Sequence, residues 1–121
     1  MSKGTILIVE DDFDLRDSLQ DMLEDEGYHV ATAADGAEAL AYLRSRPAPG
    51  LVLLDWMMPT CDGRQFRTEQ LADPALAHIP VVLLTADARV RDQMPSLGLS
   101  EFLGKPFRLE ALLAVVARYC G

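Results

Sequence analysis

Residues 5–12 read TILIVEDD, an apolar run that ends in acidic side chains. Two later segments have the same form: LVLLD at 51–55 and VVLLT at 81–85. Their apolar parts contain Val, Ile and Leu without polar alternation, which is typical of strands buried on both faces of a parallel sheet. We therefore predict three central strands, at Thr5–Val9, 51–54 and 81–84.

Weaker patterns complete the set of secondary-structure elements. Two further strand candidates lie at 28–32 and 101–103. Between the strands, apolar side chains recur every three or four residues, the spacing of a helix with one buried face. These helical segments cover residues 15–23, 35–43, 64–71, 90–97 and 109–116. Pro95 must shorten or kink the fourth of them, because proline cannot donate a backbone hydrogen bond.

Strand and helix thus alternate five times, the pattern of a doubly wound α/β domain. The natural candidate is a flavodoxin-like (βα)5 fold, with a five-stranded parallel sheet in the order 2-1-3-4-5 and helices on both faces. The chain has 121 residues, which is enough for one hydrophobic core and too few for two. We expect residues 1–121 to form a single domain.

Composition excludes several classes of function. The formal net charge of -8 argues against direct nucleic-acid binding, which requires a basic surface. The sequence lacks both a bilayer-spanning apolar run, about 18 residues or more, and a signal-peptide core, so we expect a cytoplasmic protein without membrane insertion. Cys61 and Cys120 lie far apart and have no metal-binding or redox spacing, so we assign them no role.

Polar side chains follow four of the predicted strands. Asp11 and Asp12 come after the first strand, Asp55 ends the third segment, Thr85 ends the fourth, and Lys105 follows the fifth. The carboxyl ends of parallel strands meet at one edge of the sheet, where ligands bind in open α/β folds. We therefore expect these side chains to share one site.

The chemistry of this set points to a magnesium ion and a phosphoryl group. Crowded carboxylates repel one another unless a cation lies between them, and a few oxygen ligands suit Mg²⁺, which usually shares its coordination with a phosphate. Lys105 is one of only two lysines among eleven basic residues, and its ammonium can pair with a phosphoryl oxygen. Thr85 can offer a hydroxyl to another oxygen.

Each of these residues also has an ordinary structural explanation. Asp11 or Asp12 could cap the first helix. Thr85 could cap the fourth helix, and Lys105 could be a solvated surface charge. These explanations do not account for the coincidence of such residues at four strand ends.

At this point the sequence resembles the response-regulator receiver family, from residue 6 to about residue 119. The motifs that carry the resemblance are ILIVEDD at 6–12, LDWMMP at 54–59 followed by Asp62 and Gly63, LTA at 84–86, and Gly98 followed by FLGKPF at 102–107. The resemblance implies that Asp55 is the phosphoacceptor. It also implies that Asp12 and Asp55 bind Mg²⁺ directly with the backbone carbonyl of Met57, and that Asp11 helps through water.

The resemblance further implies a conformational switch. Lys105 would pair with the phosphoryl group, Thr85 would turn its hydroxyl toward it, and Phe102 would swing inward to fill the vacated space. An aromatic residue in a short strand is also an ordinary core residue, and the two interpretations of Phe102 are compatible. The output face would comprise the fourth helix, the fifth strand and the fifth helix.

The resemblance also implies a set of partners. The donor would be a sensor histidine kinase or a histidine phosphotransfer protein, and the recipient a downstream protein target or an attached output domain. The domain would not be an enzyme in the usual sense, although it would catalyse its own phosphotransfer and its own dephosphorylation. Phosphorylation-dependent dimerisation is left open.

Three alternatives compete with this interpretation. A phosphohydrolase of the haloacid-dehalogenase kind also uses an aspartate nucleophile with Mg²⁺, but it requires a second Asp two residues later, where this chain has Met57. A nucleotide-binding protein would need a Gly-rich loop with Lys and Ser or Thr, which the chain lacks. A receiver fold that binds partners without being phosphorylated is the third alternative.

Overall fold

The structure is a computed structural model that describes residues 4–56, 63–99 and 101–121. Within these ranges the chain forms five strands and four α-helices. The strands are β1 Thr5–Val9, β2 His29–Ala33, β3 Leu51–Asp55, β4 Val81–Thr85 and β5 Phe102–Gly104. The helices are α1 Phe13–Asp25, α2 Gly36–Ser45, α3 Gly63–Ala72 and α4 Leu109–Cys120.

The five strands form one sheet in the order β2-β1-β3-β4-β5, with every adjacent pair parallel. This confirms the predicted strand order. The strand bounds agree with the sequence prediction to within one residue at either end. The three central strands β1, β3 and β4 carry the unbroken apolar runs, because both of their faces are covered.

Two hydrophobic cores lie on opposite faces of the sheet. Alternate residues of β1 enter different cores: Leu7 and Val9 pack on one side, and Ile6 and Ile8 on the other. The first core includes α2 and α3 residues, and the second includes α1 and α4 residues. Helices therefore cover both faces, as the doubly wound arrangement requires.

The prediction of a fourth helix at 90–97 is wrong, although the apolar side chains on which it was based are buried. Two short 3-10 segments, Ala88–Asp92 and Pro95–Leu97, connect β4 to β5. Pro95 opens the second segment, and Gly98 ends it with a φ of +66°, a left-handed conformation that favours glycine. Val90, Met94 and Leu97 are nevertheless buried. The apolar spacing is thus met without a continuous α-helix.

None of the helices in the described ranges is long and apolar enough to cross a membrane.

Candidate functional site

The register of the sheet places four polar side chains at one edge. Val9 of β1 lies level with Leu54 of β3, so that the next residues, Glu10 and Asp55, follow side by side. Thr85 ends β4 opposite Gly104 of β5, and Lys105 follows directly. The side chains from four separate parts of the sequence therefore meet beyond the carboxyl ends of the central strands, where sequence analysis expected the site.

Three carboxylates gather at this edge. One oxygen from each of Glu10, Asp11 and Asp55 lies within 4.8 Å of the others. Glu10 is 1% exposed and Asp55 is 5% exposed, whereas Asp11 is exposed to solvent. Two buried acids with a solvent-accessible third form an arrangement that a cation could reach and stabilise.

Lys105 contacts both buried acids. Its Nζ lies 2.8 Å from Oε1 of Glu10 and 3.6 Å from Oδ1 of Asp55. Its backbone N–H donates to the carbonyl oxygen of Thr85 at 2.7 Å, which fixes the start of the Lys105 side chain against β4. The ammonium is therefore closer to Glu10 than to the predicted phosphoacceptor.

The electrostatics of the cluster favour a protonated Asp55. Burial, followed by the hydrogen bond and the charge of Glu10, raises the pKa of Asp55 to about 8, although Lys105 acts in the opposite direction. Burial alone lowers the pKa of Lys105, but its hydrogen bond with Glu10 and the nearby Asp55 charge outweigh burial and raise that pKa. The positive charge of Lys105 is therefore too weak to offset the effects of burial and of Glu10 on the pKa of Asp55.

Asp12 lies elsewhere than the predicted metal site. It is the N-cap of α1, where its Oδ1 accepts hydrogen bonds from the backbone N–H groups of Asp14 at 3.0 Å and Leu15 at 3.2 Å. Asp12 is exposed and is outside the carboxylate group. Asp12 is therefore a helix cap, the ordinary structural explanation given for it above. Glu10 occupies the place in the carboxylate cluster that was predicted for Asp12.

Glu10 was missed because it directly follows an apolar strand and precedes two aspartates that drew attention. Its backbone N–H donates to the carbonyl of Ala33 at 3.0 Å, and its carbonyl accepts from Arg16 Nη1 at 2.8 Å. These contacts extend the sheet by one residue beyond Val9. The register of β1 against β3 places Glu10 beside Asp55, and only the structure shows that register.

The cluster fits a divalent cation. Glu10 Oε2 is buried, and among the described residues no hydrogen-bond donor reaches it. A buried carboxylate oxygen without a donor is costly unless a cation or proton neutralises it. The acidic group could therefore hold a metal ion. Met57, whose backbone carbonyl was predicted as a further ligand, lies outside the described residues.

An open cleft of about 530 Å³ adjoins the cluster. Its walls are formed by Asp55, Thr85, Ala86, Asp87, Arg89 and Lys105. Thr85 is 3% exposed, and its hydroxyl oxygen accepts a hydrogen bond from the backbone N–H of Asp87 at 3.0 Å. The cleft therefore gives access to Asp55 from the side of β4.

Phe102 lies at the start of β5, partly buried against the core on the α2 and α3 face. The Arg91 guanidinium carbon lies 5.1 Å from the centre of its ring, within the range of a cation–π contact. Phe102 is thus neither fully exposed nor fully enclosed.

Gly63 holds the start of α3 against the site. A Cβ atom at this position would lie 2.7 Å from Cε3 and 2.9 Å from Cα of Trp56, closer than real side chains approach. The Gly63 backbone N–H also donates to the Trp56 carbonyl at 3.1 Å. Only glycine allows α3 to begin this close to the residue after Asp55.

Comparison with known proteins identifies relatives of the chain. Residues 6–117 match the response regulator receiver domain family. The response regulator Rre1 of Synechocystis is 39% identical over 115 residues, which cover 93% of this chain and 49% of that protein. The chain likewise spans about half the length of several other response regulators that it matches.

Two solved structures have the same fold. The chemotaxis protein CheY4 of Vibrio cholerae has a TM-score of 0.88 and 29% identity, covering 98% of this chain and 99% of that chain. The receiver domain of the sensor histidine kinase PA1611 of Pseudomonas aeruginosa has a TM-score of 0.84 and 30% identity, with 98% of each chain covered. That receiver domain was solved with a magnesium ion coordinated in its active site cleft.

Proposed function

Because the chain belongs to the response regulator receiver domain family, we propose that it accepts a phosphoryl group on Asp55 in a Mg²⁺-dependent reaction and relays that event to a protein partner. The observation that carries the proposal is the position of Asp55, which is buried at the end of β3 beside two further carboxylates and within 3.6 Å of Lys105. Such a site combines a nucleophile with groups that bind a cation and a transferred anion.

In the proposed step, one Asp55 oxygen forms a bond to phosphorus while the bond from phosphorus to the donor histidine nitrogen breaks. The electron pair of the broken bond goes to the departing imidazole, whose other nitrogen carries a proton. Lys105 lies close enough to Asp55 to neutralise charge on a phosphoryl oxygen. The Thr85 hydroxyl oxygen accepts a hydrogen bond from the Asp87 backbone N–H. That bond does not use the hydroxyl proton, which Thr85 can donate to a phosphoryl oxygen. Later attack by water on phosphorus would break its bond to the Asp55 oxygen, which returns the Asp55 carboxylate and releases inorganic phosphate.

We assign the metal-binding role to Glu10, Asp11 and Asp55, so that Glu10 replaces Asp12 in the predicted set of Asp11, Asp12, Asp55 and the Met57 carbonyl. Mg²⁺ would supply positive charge that favours the ionised form of Asp55. The unsatisfied Oε2 atom of Glu10 and the magnesium ion in the PA1611 receiver domain support this assignment. A contribution from the Met57 carbonyl stays a prediction.

We also propose that Thr85 and Phe102 form the switch. A phosphoryl group would give Thr85 a hydrogen bond that exists in one state only, and Phe102 would move inward with it. The output face would comprise the two 3-10 segments, β5 and α4. If Thr85→Ala and Phe102→Ala variants bind a partner with the same dependence on phosphorylation as the unaltered protein, this coupling is wrong.

The partners follow from the same proposal. The donor is a sensor histidine kinase or a phosphotransfer protein, and the recipient is a downstream protein or an attached output domain. Residues 1–121 act as a single receiver domain, an assignment supported by the family match over residues 6–117. The domain catalyses its own phosphotransfer and dephosphorylation.

Intact-mass spectrometry after incubation with acetyl phosphate tests the proposal. We expect a gain of one phosphoryl group with Mg²⁺, none with chelator, and none in Asp55→Asn. Asp12→Asn is the matched control and should still be phosphorylated. A protein that stays unmodified under all conditions would instead be a receiver fold that only binds partners.

A further inference from the structure

An ion pair at the mouth of the cleft has no role in the proposed reaction. Asp87 and Arg89 line the cleft together with Asp55 and Lys105. Arg89 Nε donates to Asp87 Oδ1 at 2.9 Å and to Oδ2 at 3.2 Å, and Arg89 Nη2 donates to Oδ2 at 2.9 Å. The guanidinium therefore grips both carboxylate oxygens of Asp87.

The backbone fixes this pair in place. Asp87 is the N-cap of the first 3-10 segment, and its Oδ1 also accepts from the Arg89 backbone N–H at 2.9 Å. The Asp87 backbone N–H donates to the hydroxyl oxygen of Thr85, a residue of the site itself. The backbone of Asp87 is thus bonded to Thr85, and its side chain is bonded to both the backbone and the guanidinium of Arg89.

Charge gives this arrangement a consequence for anionic phosphodonors. The protein carries a net charge of -8, and two further carboxylates, those of Glu10 and Asp11, already lie beside Asp55. An acyl phosphate carries two negative charges near neutral pH, and Asp87 lines the cleft through which it would reach Asp55. The Arg89 side chain is 89% exposed, and such a pair adds little to folding stability. The positive charge of Arg89 nevertheless offsets the negative charge of Asp87, which reduces the repulsion that an approaching anion meets.

We propose that Arg89 is a positioning residue which neutralises Asp87 at the cleft mouth and thereby admits doubly charged acyl phosphates to Asp55. This inference rests on the proposed phosphorylation of Asp55. It names a selectivity determinant for small-molecule donors, distinct from the residues that perform the transfer.

The experiment compares four proteins by their rates of phosphorylation with acetyl phosphate at saturating Mg²⁺. The fluorescence of Trp56, the single tryptophan, follows the reaction, and intact mass confirms it. Arg89→Ala should lower the second-order rate constant by about three- to tenfold, the effect of one unit charge at close range in water. The half-saturating donor concentration should rise, and the maximal rate should stay unchanged.

Two further variants separate charge from structure. Asp87→Ala/Arg89→Ala should return the rate constant to within about twofold of the unaltered value, because the uncompensated carboxylate is gone. Arg44→Ala is the matched control. Arg44 lies in the last turn of α2, at the opposite end of the sheet, and pairs with Asp73. It removes the same charge and should leave the rate unchanged.

Ionic strength and donor charge provide independent checks. The deficit of Arg89→Ala should shrink at high salt, and it should be smaller with phosphoramidate, which carries less negative charge. An unchanged rate in Arg89→Ala, or a double variant as slow as the single one, would overturn the inference while leaving the proposed function intact. An unaltered protein that takes up no phosphoryl group would overturn both.

Discussion

Asp55 combines burial with a neighbouring carboxylate, and the two effects raise its pKa to about 8. In an unfolded chain an Asp side chain loses its proton near pH 4, roughly the reference value. Between pH 4 and pH 8 the unfolded chain therefore holds fewer protons than the folded one. Stability of the metal-free protein must fall as the pH rises through this range.

Asp55→Asn removes this pH dependence. Without Mg²⁺ the variant should be more stable than the unaltered protein at pH 8, by roughly 1–3 kcal/mol, and the difference should vanish near pH 4. Urea denaturation across this pH range measures both. Asp21→Asn, at an exposed position of α1, is the control and should show no such gain. If the variant and the unaltered protein were equally stable at each pH tested, the raised pKa of Asp55 would be wrong.

Glu10 and Asp12 differ in burial and in contacts, so their substitution should separate metal binding from folding. Glu10→Gln should weaken Mg²⁺ binding by about tenfold or more, since it removes a ligand charge. Asp12→Ala should cost about 1 kcal/mol of stability through the lost cap and should change Mg²⁺ affinity by less than about threefold. Titration calorimetry and urea denaturation measure the two effects. The reverse pattern would restore Asp12 as the ligand.

At the scale of secondary structure, the segment between β4 and β5 depends on a buried arginine. Arg67 of α3 is 6% exposed and donates from Nε to the Leu97 carbonyl at 2.9 Å and from Nη2 to the Gly98 carbonyl at 3.2 Å. Its Nη1 donates to Gln70 Oε1 at 2.8 Å. These bonds hold the second 3-10 segment against α3, in the place where a regular helix was predicted.

Arg67→Met should therefore destabilise the protein by about 2–4 kcal/mol, because the buried Leu97 carbonyl and Gln70 Oε1 lose a donor, as does the part-buried Gly98 carbonyl. Hydrogen exchange should accelerate in residues 95–99 more than in α1. Arg64→Ala is the matched control: Arg64 lies on the same helix, and its hydrogen bond to Gln93 is exposed. Its substitution should change stability by less than about 0.5 kcal/mol. Equal effects of the two variants would show that the Arg67 hydrogen bonds do not hold the second 3-10 segment in place.

Sequence patterns predicted elements well where burial alone decides them. The apolar runs of β1, β3 and β4 identify buried strands, and the predicted helix at 35–43 corresponds to α2, which Asp35 caps by accepting from the Glu38 backbone N–H at 2.8 Å. The segment at residues 90–97 was misassigned, because buried side chains at helical spacing are compatible with short 3-10 turns. The contacts of Arg67 that fix those turns are long-range and leave no local pattern.

At the scale of the whole molecule, the strand order assembles the site. β3 lies between β1 and β4, so that Asp55 has Glu10 on one side and Thr85 on the other, with Lys105 beyond. The expectation that Asp55, Thr85 and Lys105 share an edge follows from parallel topology alone. The choice among Glu10, Asp11 and Asp12 does not, because it depends on the register between β1 and β3. Unbroken apolar strands carry little alternation to fix that register.

The central claim is that Asp55, within its cluster of Glu10, Asp11 and Lys105, is the side chain that takes the phosphoryl group. Reduction of the phosphorylated protein with borohydride converts an acyl phosphate of aspartate to homoserine, and tandem mass spectrometry locates the converted residue. We predict homoserine at position 55, formed only when Mg²⁺ was present during phosphorylation. Conversion at Asp11 or Asp12 with position 55 unchanged would contradict the account.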